Sequence, residues 1–323
     1  MRARLANLLT LPLVVGAVLT DMAAVAIQGG RTSVGLDILA QFAPVLLGAG
    51  LAIIGGALLS HRPWRSPLLV LGLVAVVSSG SLILPEFTRP QAPAAQAGAP
   101  REVKIIQFNV LYSNEHIDLI ATWLMSQHPD IVVIEEGGRE LREAIVARAG
   151  WQISGGGGDL MIFSGRPRLG DDSNSRGALL PWVTATFPSA SGPYDVVGVH
   201  LGWPIGPIQR SQWMELAALI GRLPQDRTIL AGDFNATPWG FTMRRGEREL
   251  GLIRRDRALA SFPAIWKADG PVRSPIAILP IDHVYAGPGW ATVKVERGPE
   301  LGSDHYPVIV TLAPVTPAPS APR

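Results

Sequence analysis

Long apolar stretches dominate the first quarter of the chain, and short apolar runs that end in polar residues dominate the rest. Leu5 to Gln28 is almost wholly apolar, broken mainly by Asn7, Thr20 and Asp21. Ile38 to Ser60 forms a second such stretch and Pro67 to Leu84 a third. Crossing a bilayer takes roughly 18–20 apolar residues, so the pattern predicts about three transmembrane helices within residues 1–84. After these, the periodicity changes. Val103–Val110, Ile131–Glu136, Leu160–Phe163, Trp182–Phe187, Asp195–His200, Thr228–Ala231, Ile281–Tyr285 and Val308–Leu312 read as strands. Ile117, Ile120 and Leu124 fall at helical spacing, and Glu140–Ala149 and Gln209–Arg222 also read as helices. Helices interspersed among many strands predict a layered α/β domain.

The stretches between these elements set the domain boundaries. Residues 85–101 are rich in Pro and Ala and read as an extended linker; residues 314–323 have a similar composition and read as a disordered tail. The segment between them, 102–313, has the size of one large domain. Arg2 and Arg4 precede the first apolar stretch, and Arg62 and Arg65 lie between the second and third. The positive-inside rule places those loops in the cytoplasm and the domain outside. A cleaved signal peptide in place of the first span leads to the same side. Asp21 is read as lying near the outer end of its span, close to water.

Charge and cysteine content narrow the picture. The chain carries +2 overall and no cysteine. Residues 102–313 hold 20 Lys and Arg against 23 Asp and Glu, a balance of −3. The domain as a whole therefore lacks the electrostatic footprint of a non-specific nucleic-acid binder. One basic stretch, Arg244 to Arg257, reads first as a solvated helix face and second as a phosphate-facing patch. The glycine run at 155–158 is followed by no GK[ST] and opens no dinucleotide fingerprint. No G-x-S-x-G occurs, which argues against a serine nucleophile.

The chemistry sits at the ends of the strands. "VKIIQFNV" carries Asn109, "DIVVIEE" Glu135 and Glu136, "YDVVGVHL" His200, and "ILAGDFNATP" Asp233 and Asn235. "PIDHVY" follows with Asp282 and His283, and "SDHYPVIV" with Asp304 and His305. Any one of these is explained by turn capping alone. In this order, they resemble the endonuclease/exonuclease/phosphatase superfamily over about Val103 to Leu312. The resemblance implies a four-layer α/β sandwich, two packed mixed β-sheets flanked by helices, here preceded by an N-terminal transmembrane helical region. It also implies Mg²⁺ or Mn²⁺ held by Glu136, Asn109 and Asp304. His305 would contact the scissile phosphate or activate water, oriented by Asp282. Asp233 and Asn235 would position water and phosphate oxygens, and His200 would give general-acid help. Glu135 is the local rival to Glu136, and His283 is read as a structural histidine. "MIFSGRPRL" matches the family only loosely, so Arg166 is given no role. The expected activity is a membrane-anchored, metal-dependent phosphoesterase acting on a lipid-linked or polyprenyl phosphate. The alternative is an anchored nuclease acting on external DNA or RNA; an inactive binding module is a third reading. Nothing implies a protein partner.

Overall fold

The computed structural model describes residues 2–96, 98–99, 101–155, 159–174, 177–267, 271–274 and 276–315. Most of the glycine run, and the end of the tail from 316 onward, lie outside the described residues. The chain divides into two compact units. One comprises Met1–Arg89, Pro204–Gln209 and Ala236–Arg245; the other comprises Pro90–Trp203, Arg210–Asn235 and Gly246–Arg323.

The first unit is helical: α1 (Arg2–Ala26), α2 (Val34–Asp37), α3 (Ala43–Leu59) and α4 (Arg62–Thr88). Among the described residues, Leu11–Arg31, Val34–Leu59 and Arg62–Thr88 are long and apolar enough to cross a membrane. Small residues bring α3 and α4 together: a Cβ added to Gly72 would lie 2.9 Å from the carbonyl oxygen of Gly50. Backbones approach this closely only across glycine, a common device of helices packed in lipid. α4 continues to Thr88 and so takes in Pro85 and four residues of the Pro/Ala-rich stretch.

Among the described residues, fourteen strands follow: β1 (Val103–Asn109), β2 (Ile131–Glu135), β3 (Gln152–Ser154), β4 (Met161–Ser164), β5 (Gly170–Asn174), β6 (Trp182–Phe187), β7 (Tyr194–His200), β8 (Thr228–Asp233), β9 (Ile253–Arg254), β10 (Ile265–Lys267), β11 (Pro271–Arg273), β12 (Asp282–Ala286), β13 (Trp290–Arg297) and β14 (Val308–Pro314). Interspersed among them, in the described residues, are the α-helices α5 (Ile117–Ser126), α6 (Gly138–Ala149), α7 (Ile208–Ile220) and α8 (Phe241–Leu250).

Two six-stranded sheets form, in the orders β13-β14-β1-β2-β4-β3 and β5-β6-β7-β8-β12-β9, with β10 and β11 as a separate ribbon. Each sheet is mixed. β1 pairs parallel with β2, and β7 parallel with β8; the other strand pairings within the two sheets, among the described residues, are antiparallel. Strand side chains alternate between faces, and the burial follows that rule. Val103, Ile105, Ile131, Val133, Val196, Ile229, Ala231, Val284 and Val310 share one core between the sheets. Ile106, Phe108, Val132 and Ile134, one residue out of phase, pack instead against Ile120 and Leu124 of α5 and Leu141 and Ile145 of α6. On the far side, Trp213 of α7 lies 5.3 Å from Phe234 between ring centroids. Gly246 of α8 packs so close to Trp213 that a Cβ there would come within 2.2 Å of its ring. Helix, sheet, sheet, helix is the expected sandwich.

The basic stretch departs from the expected solvated face. Arg254 and Arg255 are buried. Arg254 pairs with Glu247 at 2.7 Å and Asp256 at 3.3 Å. Arg255 donates to the carbonyls of Ala286 and Gly287. A guanidinium has five donors and is buried only where acceptors meet them; these two tie the chain after α8 to β12.

Candidate functional site

The inward row of each central strand is apolar except at the end that reaches one edge of the sheets, where it turns polar. On β1 the row is Val103, Ile105, Gln107, Asn109; on β2 it is Ile131, Val133, Glu135; on β8 it is Ile229, Ala231, Asp233. β12 runs antiparallel, so its row begins with Asp282 and continues through Val284 and Ala286. β7 ends in His200. Register then sets these ends side by side: Asn109 opposite Glu135, His200 opposite Asp233, and Asp282 opposite Asp233. The glycine of "GDFN" is required there. A Cβ on Gly232 would sit 2.0 Å from the carbonyl oxygen of Val199 on the neighbouring strand.

All eight residues singled out from the sequence meet at this edge. Seven of them, Asn109, Glu136, His200, Asp233, Asn235, Asp304 and His305, line one cleft of about 500 Å³. The eighth, Asp282, stands behind His305 with its Oδ2 2.7 Å from His305 Nδ1. That leaves Nε2 free to point toward the cleft, 3.8 Å from Asp233 Oδ2. Asp233 is the hub. Its Oδ2 accepts from Asn109 Nδ2 at 3.1 Å and lies 3.6 Å from His200 Nε2. Its Oδ1 accepts the Asn235 backbone N–H at 2.8 Å. Asn235 Nδ2 donates to the Leu201 carbonyl at 2.8 Å.

The two glutamates separate cleanly. Glu135 is fully buried between the sheets and accepts from Gln107 Nε2 at 2.9 Å. Burial first, then the charges of Asp282 and Asp233, push its carboxyl well above the usual range. Glu136 has left the strand with φ of +56°, in the left-handed region, and its carboxylate lines the cleft. Its Oε1 accepts from Asn109 Nδ2 at 3.0 Å and its Oε2 from the Tyr112 backbone N–H at 3.1 Å. His283, one residue past Asp282, faces the opposite side of the sheet. It is fully buried, 2.7 Å from Asp256 and packed against Phe234.

Electrostatics follow from burial and pairing. Burial lowers the His305 imidazole, but the charges of Asp282 and Asp233 outweigh it and push His305 up to about 10. Burial alone would raise Asp282; the charge and hydrogen bond of His305 hold it below the ordinary carboxylate value. Burial raises Asp304, opposed in part by the charge of His305.

Two sets of side chains compete as a cation site. Asp233, Asp282 and His305 offer atoms within 4.8 Å of one another. Yet Asp282 Oδ2 is engaged by His305, and its Oδ1 accepts from Gln107 Nε2 at 2.8 Å. Glu136, Asn109 and Asp304 instead line the open cleft, where the Glu136 side chain is 29% exposed, whereas Asp282 is fully buried. The Asn109 Oδ1 accepts the Leu111 N–H and keeps a second lone pair. Hard oxygen donors of this kind suit Mg²⁺ or Mn²⁺, and the second set fits such an ion better.

Several supporting residues escape a reading by motif. Gln107 bridges Glu135 and Asp282. Ser303 Oγ donates to the Asn109 carbonyl at 2.7 Å and accepts the His305 N–H at 3.0 Å. Leu179, Pro181, Trp203 and Phe262 form an apolar wall of the cleft. The signal for Gln107 was its position, two residues before Asn109 in an otherwise apolar run; the wall residues come from loops and carry no pattern.

The model of the endonuclease/exonuclease/phosphatase family matches residues 106–305. No curated protein matches the chain in sequence. Among solved structures, the human nocturnin catalytic domain with bound sulfate is similar at 16% identity and a TM-score of 0.54, covering 72% of this chain and 98% of that one. D. rerio TDP2 complexed with a single-strand DNA product matches at 15% identity and a TM-score of 0.54, covering 65% and 98%. An endonuclease/exonuclease/phosphatase protein from Beutenbergia cavernae matches at 17% identity and a TM-score of 0.51, covering 67% and 72%. These likenesses concern the fold. The family match runs from β1 to His305, over more than half of the chain and through every strand end that builds the cleft, and the chain thus belongs to the endonuclease/exonuclease/phosphatase family of metal-dependent phosphoester hydrolases.

Proposed function

We propose that this protein is a membrane-anchored phosphoesterase that works at the extracytoplasmic face on phosphate esters of lipid or polyprenyl head groups. The division of labour in the cleft supports a hydrolase. Glu136, Asn109 and Asp304 would hold Mg²⁺ or Mn²⁺, which when bound neutralises phosphoryl charge. Asp282 fixes the His305 ring so that Nε2 meets a phosphoryl oxygen or the attacking water. Asp233 and Asn235, held in one hydrogen-bond cluster, position that water. His200, at the edge of the cluster, is placed to give a proton to the leaving oxygen.

The observation that carries the membrane side is a shared set of helix ends. Segment Ala236–Arg245 belongs to the helical unit. Arg245 donates to the carbonyl of Arg31, where the first span ends, at 3.2 Å. Thr237 and Phe241 bond to Gln41 and Asp37, where the second begins. Arg244 donates to the carbonyl of Leu82, near the close of the third. Those three ends are the extracytoplasmic ones in the topology that Arg2, Arg4, Arg62 and Arg65 imply. The apolar wall of Leu179, Pro181, Trp203 and Phe262 supports a substrate with an apolar portion beside its phosphate. The slight negative balance of the domain weighs against long nucleic acids, although the fold is shared with a DNA-bound relative.

A panel on the purified full-length protein in lipid nanodiscs tests the reading: phospholipid head-group esters, a polyprenyl pyrophosphate, plasmid DNA, RNA and an aryl phosphodiester, each with Mg²⁺. Turnover of a lipid-linked phosphate well above that of DNA and RNA is expected. Nuclease turnover without lipid turnover would replace this reading with the nuclease.

A further inference from the structure

An acid and an amide stand out at the start of the second apolar helix. Asp37 and Gln41 lie four residues apart, inside or beside a candidate span that is otherwise apolar, and each is only 1% exposed. Residues four apart share a helical face. Buried polar groups at such a place are costly unless fully partnered. Both find their partners in Ala236–Arg245, within the same unit.

The partners are backbone groups. Asp37 Oδ1 accepts the N–H of Phe241 at 2.8 Å, and Oδ2 that of Thr242 at 2.7 Å. These are the first two residues of α8, whose leading N–H groups have no acceptor inside the helix. A carboxylate there satisfies them and complements the helix dipole. Gln41 Oε1 accepts the N–H of Thr237 at 2.9 Å, and the Gln41 carbonyl accepts Trp239 Nε1 at 3.3 Å. The cap of α8 is thus supplied from about two hundred residues away rather than by its own sequence.

Segment 236–245 starts at the residue after Asn235. Asn235 adopts φ of +49°. A left-handed conformation in a residue other than glycine persists only where its surroundings hold it. Thr237, two residues on, is anchored in that direction by Gln41. We propose that Asp37 and Gln41 are positioning residues for hydrolysis: by anchoring Thr237–Thr242 they hold Asn235, and with it the Asp233 cluster, in the working arrangement. Activity then depends on the N-terminal helices beyond mere tethering. The inference rests on the reading of Asp233 and Asn235 as active-site residues.

The test uses the full chain in nanodiscs with Mg²⁺ and a soluble aryl phosphodiester, so that access to lipid plays no part. The variants are Asp37→Ala, Asp37→Asn, Gln41→Ala and, as a control from the same loop, Ser33→Ala. Ser33 makes no capping bond with its side chain. The expected result is a fall in kcat of about tenfold for Asp37→Ala and Gln41→Ala, the factor matching about 1.4 kcal/mol, with KM within about twofold. Asp37→Asn, which keeps one acceptor oxygen, should fall between; Ser33→Ala should match the parent. Amide hydrogen exchange at 237–242 should quicken in step with the loss of kcat. Quickened exchange with unchanged kcat would overturn the positioning role, and unchanged exchange would overturn the anchoring itself. Should Asp37→Ala fail to fold, Asp37→Asn and Gln41→Ala decide the matter in the same way. A parent protein inactive on every phosphoester would refute the reading of the site, whereas an active parent with indifferent variants would refute this inference alone.

Discussion

Replacing His305 with Ala should damage stability and chemistry together, and the two can be pulled apart. The His305 side chain is 6% exposed and Asp282 not at all. Removing the imidazole leaves a buried carboxylate held only by the neutral side chains of Gln107 and Ser261. Breaking a buried pair by deleting one partner costs roughly 3–5 kcal/mol. For a domain of this size that is a fall of about 6–20 °C in Tm. Loss of acid–base help should lower kcat by about 10²–10⁴-fold. A cleft residue with little structural role, which the motif alone suggests for His305, would leave Tm unchanged. The double variant His305→Ala/Asp282→Asn removes the orphaned charge while Gln107 keeps an acceptor. It should regain most of the lost Tm and none of the lost kcat. The assay is thermal melting beside kcat per folded molecule, on any substrate the parent turns over. Near-normal kcat in folded His305→Ala, or a double variant whose Tm loss is the sum of the two single losses, would refute the coupled pair.

Glu136→Gln should raise the Mg²⁺ concentration needed for half-maximal activity by at least tenfold, while Glu135→Gln, at a carboxyl sealed behind Gln107, should leave it within about threefold; titration of activity with Mg²⁺ separates them. Asp256 is held well below the ordinary carboxylate range, because the charges and bonds of His283 and Arg254 outweigh its burial. Its stabilisation is therefore present above its unfolded value of about 3.9 and is lost as pH falls through and below that value. Asp256→Asn should be less stable at pH 7 and should show a flatter decline between about pH 5 and 3 in denaturant melts; parallel curves would contradict the assignment. Because the chain lacks cysteine, single cysteines at Ser60 and Ser189 can be labelled cleanly in intact cells. An impermeant maleimide should reach Ser189→Cys and not Ser60→Cys, and the reverse pattern would overturn the topology.

Much of the fold could be read because its strands obey one rule, an inward apolar row that ends in a polar residue. β1, β2, β8 and β12 all show it, and that row also places His283 on the wrong face for chemistry once Asp282 is placed on the right one. β5 was missed because "GDDSN" is exposed at every position and has no apolar phase. β13 was missed because its outer half alternates weakly among exposed and half-buried residues. The choice between Glu135 and Glu136 needed a backbone fact, the left-handed turn at Glu136, that no side-chain pattern encodes. Arg254 and Arg255 misled because a run of arginines looks solvated until its acceptors are known, and these lie on Glu247, Asp256 and the end of β12. The anchoring of Thr237–Thr242 by Asp37 and Gln41 was invisible for a similar reason: its two halves lie about two hundred residues apart, and Asp37 and Gln41 carry no motif.

The central claim is that this cleft hydrolyses phosphoesters with a divalent metal, and one comparison tests it most directly. Phosphoester turnover by the full-length protein is measured after EDTA treatment, then after restoring Mg²⁺ or Mn²⁺, for the parent and for Glu136→Gln. The account predicts no turnover in chelator, recovery in the parent on adding either metal, and little recovery in Glu136→Gln. Undiminished turnover in chelator, or full recovery in Glu136→Gln at the same metal concentration, would contradict it.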